Sequence, residues 1–530
     1  MSVRWTKEQE KVINLRNRSL LVSAAAGSGK TAVLVQRIIS MVTDETDPMD
    51  IDRLLVVTFT NAAAAEMRER VGAAIEAALE KDPYNQHLQR QLTLVHNAQI
   101  TTIDSFCIRI LRDHFHKIDL EPGFRIADEG ELKLLREDVC EAVLEEFYEI
   151  ADPEFLRFAD SYSRAKDDLQ IKEMVLKLYD YSESYPWPEE WLVSCVQQYE
   201  AADETELEQK TWVQDFLAYM KVRIGDLIRA HEELLELTQE ADGPYMYEAS
   251  IQDDLCQLRR LAEFTHYSQW QEVLSGIKFK NIGSARKYEG SEQKKEAVMS
   301  GRDRMKKQVD KWKKTIFATP LEIQLERLNQ TSEMVRMLVT VTQAFAKRFY
   351  QEKQLKNMMD FSDVEHNALR VLVDPETKEL TETALEYQQQ FKEVMIDEYQ
   401  DSNYVQETLL TAVSGVKNGH ENLFMVGDVK QSIYRFRLAR PELFMEKYER
   451  FSTEESSRQR IDLHRNFRSR REVVDAVNDI FYPLMAADLG NVGYDAEAAL
   501  YAGADYPEYE DAACCKPELL LVPADGGSTD

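Results

Sequence analysis

The sequence has 530 residues, of which 44% are hydrophobic, 30% charged and 9% aromatic. At roughly 150 residues per domain, this length predicts about three or four domains and excludes a small disulfide-stapled module. Lys and Arg number 65 against 95 Asp and Glu, so the formal net charge is -30, which taken alone argues against a nucleic-acid partner.

Targeting signals are not visible in the chain. No apolar run approaches the roughly 18 residues of a membrane helix, and charged residues such as Arg4, Lys7 and Lys11 leave no apolar core for a signal peptide. The six cysteines form neither a metal knuckle nor a convincing disulfide framework. These features predict a cytoplasmic protein without membrane contact.

Four short aliphatic runs, each followed by a small or polar loop, are typical of buried parallel strands. They span residues 20–22, 54–57, 394–396 and 423–426. Leu34, Ile38 and Met41 mark one face of a helix after the first run, so the chain begins with a strand-loop-helix unit of the α/β class.

A phosphate-binding loop is predicted between that first strand and its helix. The residues are Ala24, Ala25, Ala26, Gly27, Ser28, Gly29, Lys30 and Thr31. Backbone N–H groups of such a loop bind nucleotide phosphates at the positive end of the helix, the lysine adds a point charge, and the threonine hydroxyl can bind Mg²⁺. Alanine replaces the first glycine of the pattern, so the turn must tolerate a Cβ at Ala24. The alternative is a chance Gly-Ser-Gly-Lys-Thr turn.

Long helical periodicities replace the strands between about residues 121 and 344, which predicts an all-helical insertion. Within it, residues 278–314 carry thirteen basic and five acidic side chains. Two interpretations remain open for this stretch, a solvated helix or mobile arm and a DNA-contacting surface.

An acidic pair follows the third aliphatic run at Asp397 and Glu398. Asp397 is predicted to hold Mg²⁺ through its water shell, and Glu398 to orient and deprotonate the water that attacks the γ-phosphate. Together with the loop at Lys30, the pair predicts a nucleotide hydrolase.

Two later segments combine basic residues with aromatic or polar ones. Residues 426–437 place Gln431 after a strand and then alternate aromatic and basic side chains, a pattern suited to base stacking, although an amphipathic core edge is the alternative. Residues 464–471 contain four arginines, one of which could reach a nucleotide across a domain cleft; the alternative is a helix start with solvated arginines. Residues 481–530 are acidic, and the run at 519–522 predicts one more buried strand.

These motifs, in this order, resemble the superfamily-one DNA helicases of the UvrD, Rep and PcrA type. The resemblance implies that Gln9 contacts adenine, that Gln431 senses the γ-phosphate and that Arg468 reaches the same phosphate. It implies DNA contacts at seven side chains: Phe59 as a base-stacking residue, Thr60, Asn61, Thr102, Ser105, and Tyr434 and Phe436 as the link to DNA. The family's loop commonly begins with alanine, as at Ala24, whereas Leu438 stands where the family usually has glycine.

The resemblance also implies a fold, a RecA-like α/β domain with a parallel sheet, a large all-helical insertion and the start of a second RecA-like domain. The expected boundaries are 1–120 and 345–450 for the first RecA-like domain, 121–344 for the insertion and 451–530 for the truncated second domain. ATP and Mg²⁺ are the implied cofactors.

Within the family, the loop, residues 55–61 and residues 122–128 resemble the AddA-type chains of bacterial AddAB helicase-nucleases. This implies an AddB-like partner in a heterodimer, 3′ to 5′ movement from a single-stranded 3′ end, action on duplex ends and resection of double-strand breaks for recombination. A nuclease domain and the last helicase motifs are expected beyond residue 530, so the 530 residues alone are expected to be at best a weakened ATPase. A stand-alone UvrD-like repair helicase and an ATP-gated DNA-binding fragment are the alternatives.

Overall fold

A computed structural model describes residues 4–118, 120–163, 167–284, 288–487, 492–507 and 516–520. The chain forms two compact units. One comprises Met1–Val143, Leu176–Pro188 and Ala344–Asp530, and the other comprises Leu144–Val175 and Glu189–Gln343.

The described ranges contain ten strands. They are β1 Ser19–Ala24, β2 Leu54–Thr58, β3 Gln99–Thr102, β4 Arg125–Ile126, β5 Met358–Met359, β6 Glu393–Ile396, β7 Leu423–Gly427, β8 Arg458–Leu463, β9 Arg465–Asn466 and β10 Tyr501–Ala502.

The helices alternate with these strands in the first unit and dominate the second. In chain order they are α1 Lys7–Asn14, α2 Lys30–Val42, α3 Asn61–Lys81, α4 Gln86–Leu94, α5 Ile103–His114, α6 Glu129–Ile150, α7 Pro153–Tyr162, α8 Leu169–Ser182, α9 Pro188–Gln197, α10 Glu204–Glu208, α11 Thr211–Gln239, α12 Glu248–Ala262, α13 Tyr267–Gly276, α14 Glu292–Lys314, α15 Leu321–Leu355, α16 Phe361–Leu372, α17 Glu382–Gln390, α18 Tyr404–Val413, α19 Pro441–Arg450 and α20 Arg471–Leu484.

A six-stranded parallel sheet organises the first unit, in the order β3-β2-β6-β7-β1-β8. This confirms the predicted α/β class, and each of the four predicted aliphatic runs lies in a strand. The edge strands β3 and β8 were not predicted. The sequence of β8 is Arg-Gln-Arg-Ile-Asp-Leu, with polar side chains at a half-covered edge. It therefore lacks the continuous aliphatic run that marks the central strands.

Helices cover both faces of this sheet, which is why its central strands are aliphatic throughout. On one face, α5, α16 and α18 contribute Phe106, Leu369 and Leu409 to a buried cluster. On the other face, α2 and α3 contribute side chains such as Leu34 and Met67. With both faces covered, only the strand ends are available for a site.

The second unit is helical and has a separate core. Helices α11, α12 and α14 pack together, and Met220, Trp270 and Trp312 are buried among them. Arg302 on α14 and Asp254 on α12 form a buried ion pair, with 3.0 Å between Nη2 and Oδ1. Since removing one partner would leave a buried charge, this pair ties the two helices together.

Several of the basic side chains of residues 278–314 are paired within the second unit. Lys280 contacts Asp253, Lys294 contacts Glu240 and Asp242, and Lys314 contacts Asp310. For those lysines, these contacts agree with the interpretation of the stretch as a solvated helix. The interpretation of the stretch as a DNA-contacting surface stays a prediction.

The compact units and the sheet differ from the predicted domain boundaries in three places. Residues 121–143 and Leu176–Pro188 cluster with the sheet, not with the helical unit. Strand β8 lies after the predicted boundary at residue 450 but pairs with β1 in the first sheet. The division into two RecA-like domains stays a prediction, with the first sheet continuing to Leu463.

The predicted strand at 519–522 is wrong for the two residues that the structure describes there. Leu519 and Leu520 are each 84% exposed and belong to no strand, while residues 521 and 522 lie outside the described residues. Cys107, Cys195 and Cys256 are free thiols, and residues 514 and 515 lie outside the described residues. None of the helices in the described ranges is long and apolar enough to span a membrane.

Glu365 on α16 is a buried carboxyl in the first unit. Gln406 donates to its Oε1 at 2.8 Å. Burial raises the pKa of Glu365 to about 7, and the charge of Asp104 adds to the rise. The proton on this carboxyl therefore binds more tightly in the folded chain than in the unfolded chain.

We expect Glu365→Gln to remove part of the pH dependence of stability. Because the folded pKa is raised, the stabilisation from this group is present below the ordinary pKa of 4.5 and is lost as pH rises to about 7. The variant should exceed the parent in unfolding free energy by about 3 kcal/mol at about pH 8 and match it at about pH 4. Urea unfolding at the two pH values tests this, with exposed Glu376→Gln as the control; equal stabilities of variant and parent at the higher pH would contradict it.

Candidate active site

All six parallel strands end at the same edge of the sheet, and the predicted motif residues follow them there. The phosphate loop follows β1, Phe59 follows β2, Asp397 follows β6, Gln431 follows β7, and Arg468 comes shortly after β8. Parallel strands therefore bring together segments that are hundreds of residues apart in the chain.

The loop after β1 has the backbone of an anion-binding turn. Gly27 and Gly29 have φ of 71° and 83°, in the left-handed region that favours glycine. Helix α2 begins at Lys30, so its first N–H groups point toward the loop. Ala24 is the last residue of β1 and is fully buried there. This position is in a strand, which explains why alanine is tolerated.

Ser28 provides a test of whether the loop fits a phosphate. Its side chain is buried, and within the described residues its Oγ has no hydrogen-bond partner. A buried hydroxyl without a partner is costly, and a phosphate oxygen held by the loop would satisfy it. The loop therefore fits a nucleotide phosphate.

Lys30 and Glu398 form the central contact of the site, with Nζ and Oε2 3.0 Å apart. Glu398 adopts a left-handed conformation with φ of 50°, unusual for a residue with a side chain. Its N–H donates to Asp397 Oδ1 at 3.1 Å. The predicted lysine and the predicted acidic pair are thus brought together.

Asp397 is a buried carboxyl whose ionised form a nearby cation would stabilise. Burial raises the pKa of Asp397 to about 6, the charge of Glu398 adds to the rise, and Lys30 opposes it. Thr31 is the half-buried second residue of α2. Both offer oxygen donors of the kind that Mg²⁺ binds. In the part of the chain that is described, no three His, Cys, Asp or Glu side chains form a metal site by themselves.

Gln431 follows β7, the strand between β1 and β6, so it emerges between the loop and the acidic pair. Its Nε2 donates to Asp428 Oδ2 at 2.7 Å. Asp428 is buried and also pairs with Lys430, with Oδ1 and Nζ 2.9 Å apart. Asp428 therefore orients the loop that carries Gln431.

Asn466 is a site residue that the sequence motifs did not reveal. Its Nδ2 donates to Ala26 O at 2.8 Å, and the neighbouring Phe467 N–H donates to Gly27 O at 2.8 Å. Its Oδ1 accepts from the N–H groups of Arg468 and Ser469. The segment after β8 is thereby fastened to the phosphate loop. An asparagine after a strand next to β1 would have been the signal, but β8 itself was not recognised.

Arg468 lies on this fastened segment. Its side chain is exposed and forms no ion pair with any other described residue. The segment thus brings the arginine near the phosphate loop, and contact with a phosphate stays a prediction.

Gln9 lies beside the loop, and both the nitrogen and the oxygen of its side-chain amide form hydrogen bonds. Its Nε2 donates to Ser28 O at 3.0 Å, and its Oε1 accepts from Thr6 N at 2.9 Å. Gln9, Ser28, Phe467 and Tyr501 line part of a cavity of about 750 Å³. The adenine contact stays a prediction, and the structure adds that Gln9 braces the loop.

An aromatic cluster at the same edge consists of the exposed side chains of Phe59, Phe436 and Arg437 and the half-buried side chain of Tyr434. The rings of Phe59 and Tyr434 stack with centroids 5.0 Å apart, and Tyr434 and Phe436 are 5.8 Å apart. The Arg437 guanidinium lies over both Tyr434 and Phe436. Leu438, which follows, has φ of 63°, which is the backbone conformation for which glycine is suited.

The remaining predicted DNA contacts lie at helix starts. Thr60 caps α3, which begins at Asn61, by accepting from Ala63 N. Thr102 caps α5 by accepting from Ser105 N, and its hydroxyl donates to Ser105 Oγ at 2.9 Å. Thr102 is buried, so its side chain serves the cap, whereas Ser105 is exposed.

The sequence is similar to known proteins along nearly its whole length. The family described as "UvrD/REP helicase N-terminal domain" matches residues 5–452. The chain is 47% identical over 511 residues to an ATP-dependent helicase/nuclease subunit of Lachnoclostridium phytofermentans, covering 95% of this chain and 37% of the relative. The proteins of the same name from Geobacillus kaustophilus and Bacillus pumilus are 43% and 41% identical, each covering 98% of this chain and 42% of the relative. The chain thus spans about two fifths of the length of these curated relatives.

We expect Gly27→Ala to disrupt nucleotide binding. An added Cβ would lie 2.8 to 2.9 Å from the Asn466 amide, and the left-handed backbone at this position disfavours any side chain. Because the loop must shift to relieve this clash, restoring its anion-binding backbone should cost about 1 to 2 kcal/mol and weaken binding of a fluorescent ATP analogue by about tenfold.

The matched control is Gly72→Ala on α3, where an added Cβ has no neighbour within 4 Å. It should keep nucleotide affinity and raise the unfolding free energy by up to about 1 kcal/mol. Tight nucleotide binding by Gly27→Ala would show that the contact between the loop and Asn466 does not shape the site.

Proposed function

The chain belongs to the UvrD/REP helicase family, and we propose that it is the ATP-hydrolysing motor portion of a DNA helicase-nuclease. The contact that carries the proposal is the ion pair between Lys30 and Glu398 at the end of two parallel strands. It places a phosphate-binding lysine beside a carboxylate that can act on water, and the aromatic cluster lies at the same edge of the sheet.

ATP is the proposed substrate of the loop. The N–H groups of the loop and of the first turn of α2 bind its phosphates, Ser28 Oγ gains the acceptor it lacks, and Lys30 turns from Glu398 to the phosphate oxygens. Mg²⁺, held by Thr31 and Asp397 with phosphate and water oxygens, would neutralise charge that develops on the phosphates.

Glu398 is the proposed general base. Once Lys30 turns away, the Glu398 carboxylate is free to orient the attacking water and to accept a proton from it. Gln431 senses the γ-phosphate from the middle of the edge, and Arg468 approaches from the segment that Asn466 fastens to the loop. The base of the nucleotide enters the cavity beside Gln9, where Phe467 offers a ring for stacking.

Single-stranded DNA is the proposed ligand of the aromatic cluster. Exposed Phe59 and Phe436 offer faces for base stacking, while Arg437 supplies positive charge. Asn61 and Ser105, at the starts of α3 and α5, would contact phosphates or sugars near the same edge. This arrangement explains how a chain with net charge -30 binds DNA locally.

The relatives named as ATP-dependent helicase/nuclease subunits suggest the larger context. We infer 3′ to 5′ movement on single-stranded DNA, action at duplex ends during recombinational repair, and assembly with an AddB-like partner in the cytoplasm. The word "subunit" in the names of these relatives supports the assembly, and exonuclease activity would belong to the whole helicase-nuclease.

We expect Glu398→Gln to retain ATP binding while hydrolysis falls by about 100-fold or more, because the amide cannot accept the proton of the attacking water. Nucleotide affinity and phosphate release, with and without oligothymidylate, provide the test. Glu407→Gln is the control, since Glu407 also pairs with a lysine, Lys447, but lies on α18. Retained turnover in Glu398→Gln would remove Glu398 from the role of base.

We expect Phe436→Ala to weaken binding of single-stranded DNA by about 1 to 3 kcal/mol, the usual contribution of one base stacked on an aromatic ring. Phe436 is 75% exposed, so its removal should not alter folding. Fluorescence anisotropy with labelled oligothymidylate measures the affinity. Tyr84→Ala is the control, because Tyr84 is 90% exposed and lies between α3 and α4. Equal losses in both variants would contradict a specific stacking role.

A further inference from the structure

Gln400 is a buried amide that joins two parts of the site. Its Nε2 donates to Glu398 Oε2 at 2.8 Å, and its Oε1 accepts from Asp428 N–H at 3.0 Å. The side chain is only 2% exposed. One side chain thus bridges the carboxylate after β6 and the backbone at the end of β7.

The fit of this amide against β7 is close. A Cβ on Gly427, the last residue of β7, would lie 2.2 Å from Gln400 Oε1. Ser432 Oγ donates to the backbone oxygen of Gln400 at 3.4 Å, a second contact with the segment after β7. The absence of a side chain at Gly427 is what lets the amide reach Asp428.

Beyond Asp428, the contacts continue to the aromatic cluster. The Asp428 carboxylate holds Gln431 and Lys430, and the chain proceeds within a few residues to Tyr434. Tyr434 stacks on Phe59. A displacement of Tyr434 by a DNA base would therefore act on the short segment that the Gln400 amide touches.

At the other end, Gln400 is the neutral partner of Glu398. The second partner is Lys30, which must leave to bind phosphate in the proposed reaction. Asp397 and Asp401 lie close by, and Gln400 Nε2 also approaches Asp401 Oδ2 at 3.4 Å. An uncharged donor can hold Glu398 among these carboxylates without adding a further charge to the site.

We propose that Gln400 is a positioning residue that couples DNA contact at Tyr434 to the orientation of Glu398. The inference rests on the proposed function, because it assumes that the chain binds both ATP and single-stranded DNA. Movement of the segment after β7 displaces the N–H group whose hydrogen bond the Gln400 amide oxygen accepts. The amide nitrogen, which donates to Glu398, transmits that displacement to the Glu398 carboxylate.

The test measures coupling between the two ligands. The affinity of the chain for labelled oligothymidylate is determined with and without the non-hydrolysable analogue AMP-PNP and Mg²⁺. In the parent, the two affinities should differ by about fivefold or more. In Gln400→Met, which keeps the length of the side chain but has neither donor nor acceptor at its end, the ratio should fall to within about twofold of one. Each ligand alone should still bind.

Gln406→Met is the matched control, because Gln406 also donates to a buried carboxyl group, that of Glu365 on α16. It should keep the parental coupling. Thermal unfolding checks folding, and if Gln400→Met does not fold, Gln400→Asn replaces it. That variant keeps an uncharged amide but is one methylene shorter, so it cannot bridge Glu398 and Asp428 N–H at once.

The outcomes separate the inference from the proposed function. A parent that binds neither AMP-PNP nor oligothymidylate overturns the proposed function. A parent that binds both, together with a folded Gln400 variant that retains full coupling, overturns only the role of Gln400. A parent that binds both without coupling also overturns that role. Loss of coupling in the Gln400 variant, but not in Gln406→Met, supports it.

Discussion

The parallel direction of the six strands is the constraint on which the site depends. In a parallel sheet every carboxyl end lies at one edge, so loops from distant parts of the chain meet there without a special arrangement of the helices. The strand order places β7 between β1 and β6. The segment that leads to the aromatic cluster therefore emerges between the phosphate loop and the acidic pair. One buried amide is long enough to join the acidic pair to that segment.

Crowding of carboxylates at that edge determines its chemistry. Burial, together with the charge of Glu398, raises the pKa of both Asp397 and Asp401 to about 6. Lys30 partly offsets this repulsion while it pairs with Glu398. When Lys30 turns to a phosphate, a cation at Asp397 becomes more favourable, because the remaining groups are acidic or neutral. Nucleotide and metal ion are thus expected to bind as a pair.

A feature could be predicted from the sequence where its residues lie within one continuous segment. The loop at Lys30 and the pair at Asp397 were recognised because their residues are adjacent and follow aliphatic strands. Asn466 was missed because its partner, Ala26, is 440 positions away and is brought close by β8, an edge strand with a polar sequence. The part played by Gln400 was not predicted, since its hydrogen bond to Asp428 exists only when β6 and β7 are neighbours.

Backbone strain lies at both ends of the connection between the acidic pair and the aromatic cluster. Glu398 and Leu438 have φ of 50° and 63°, a conformation that costs a residue with a side chain about 1 to 2 kcal/mol. Such strain persists only where surrounding contacts impose it. Lys30 and Gln400 impose it on Glu398. Backbone hydrogen bonds from Leu438 to Arg435 and from Arg440 to Ser402 hold the loop at Leu438. Phe436 in that loop is 75% exposed, so a ligand would contact this end of the connection before it contacted the carboxylate.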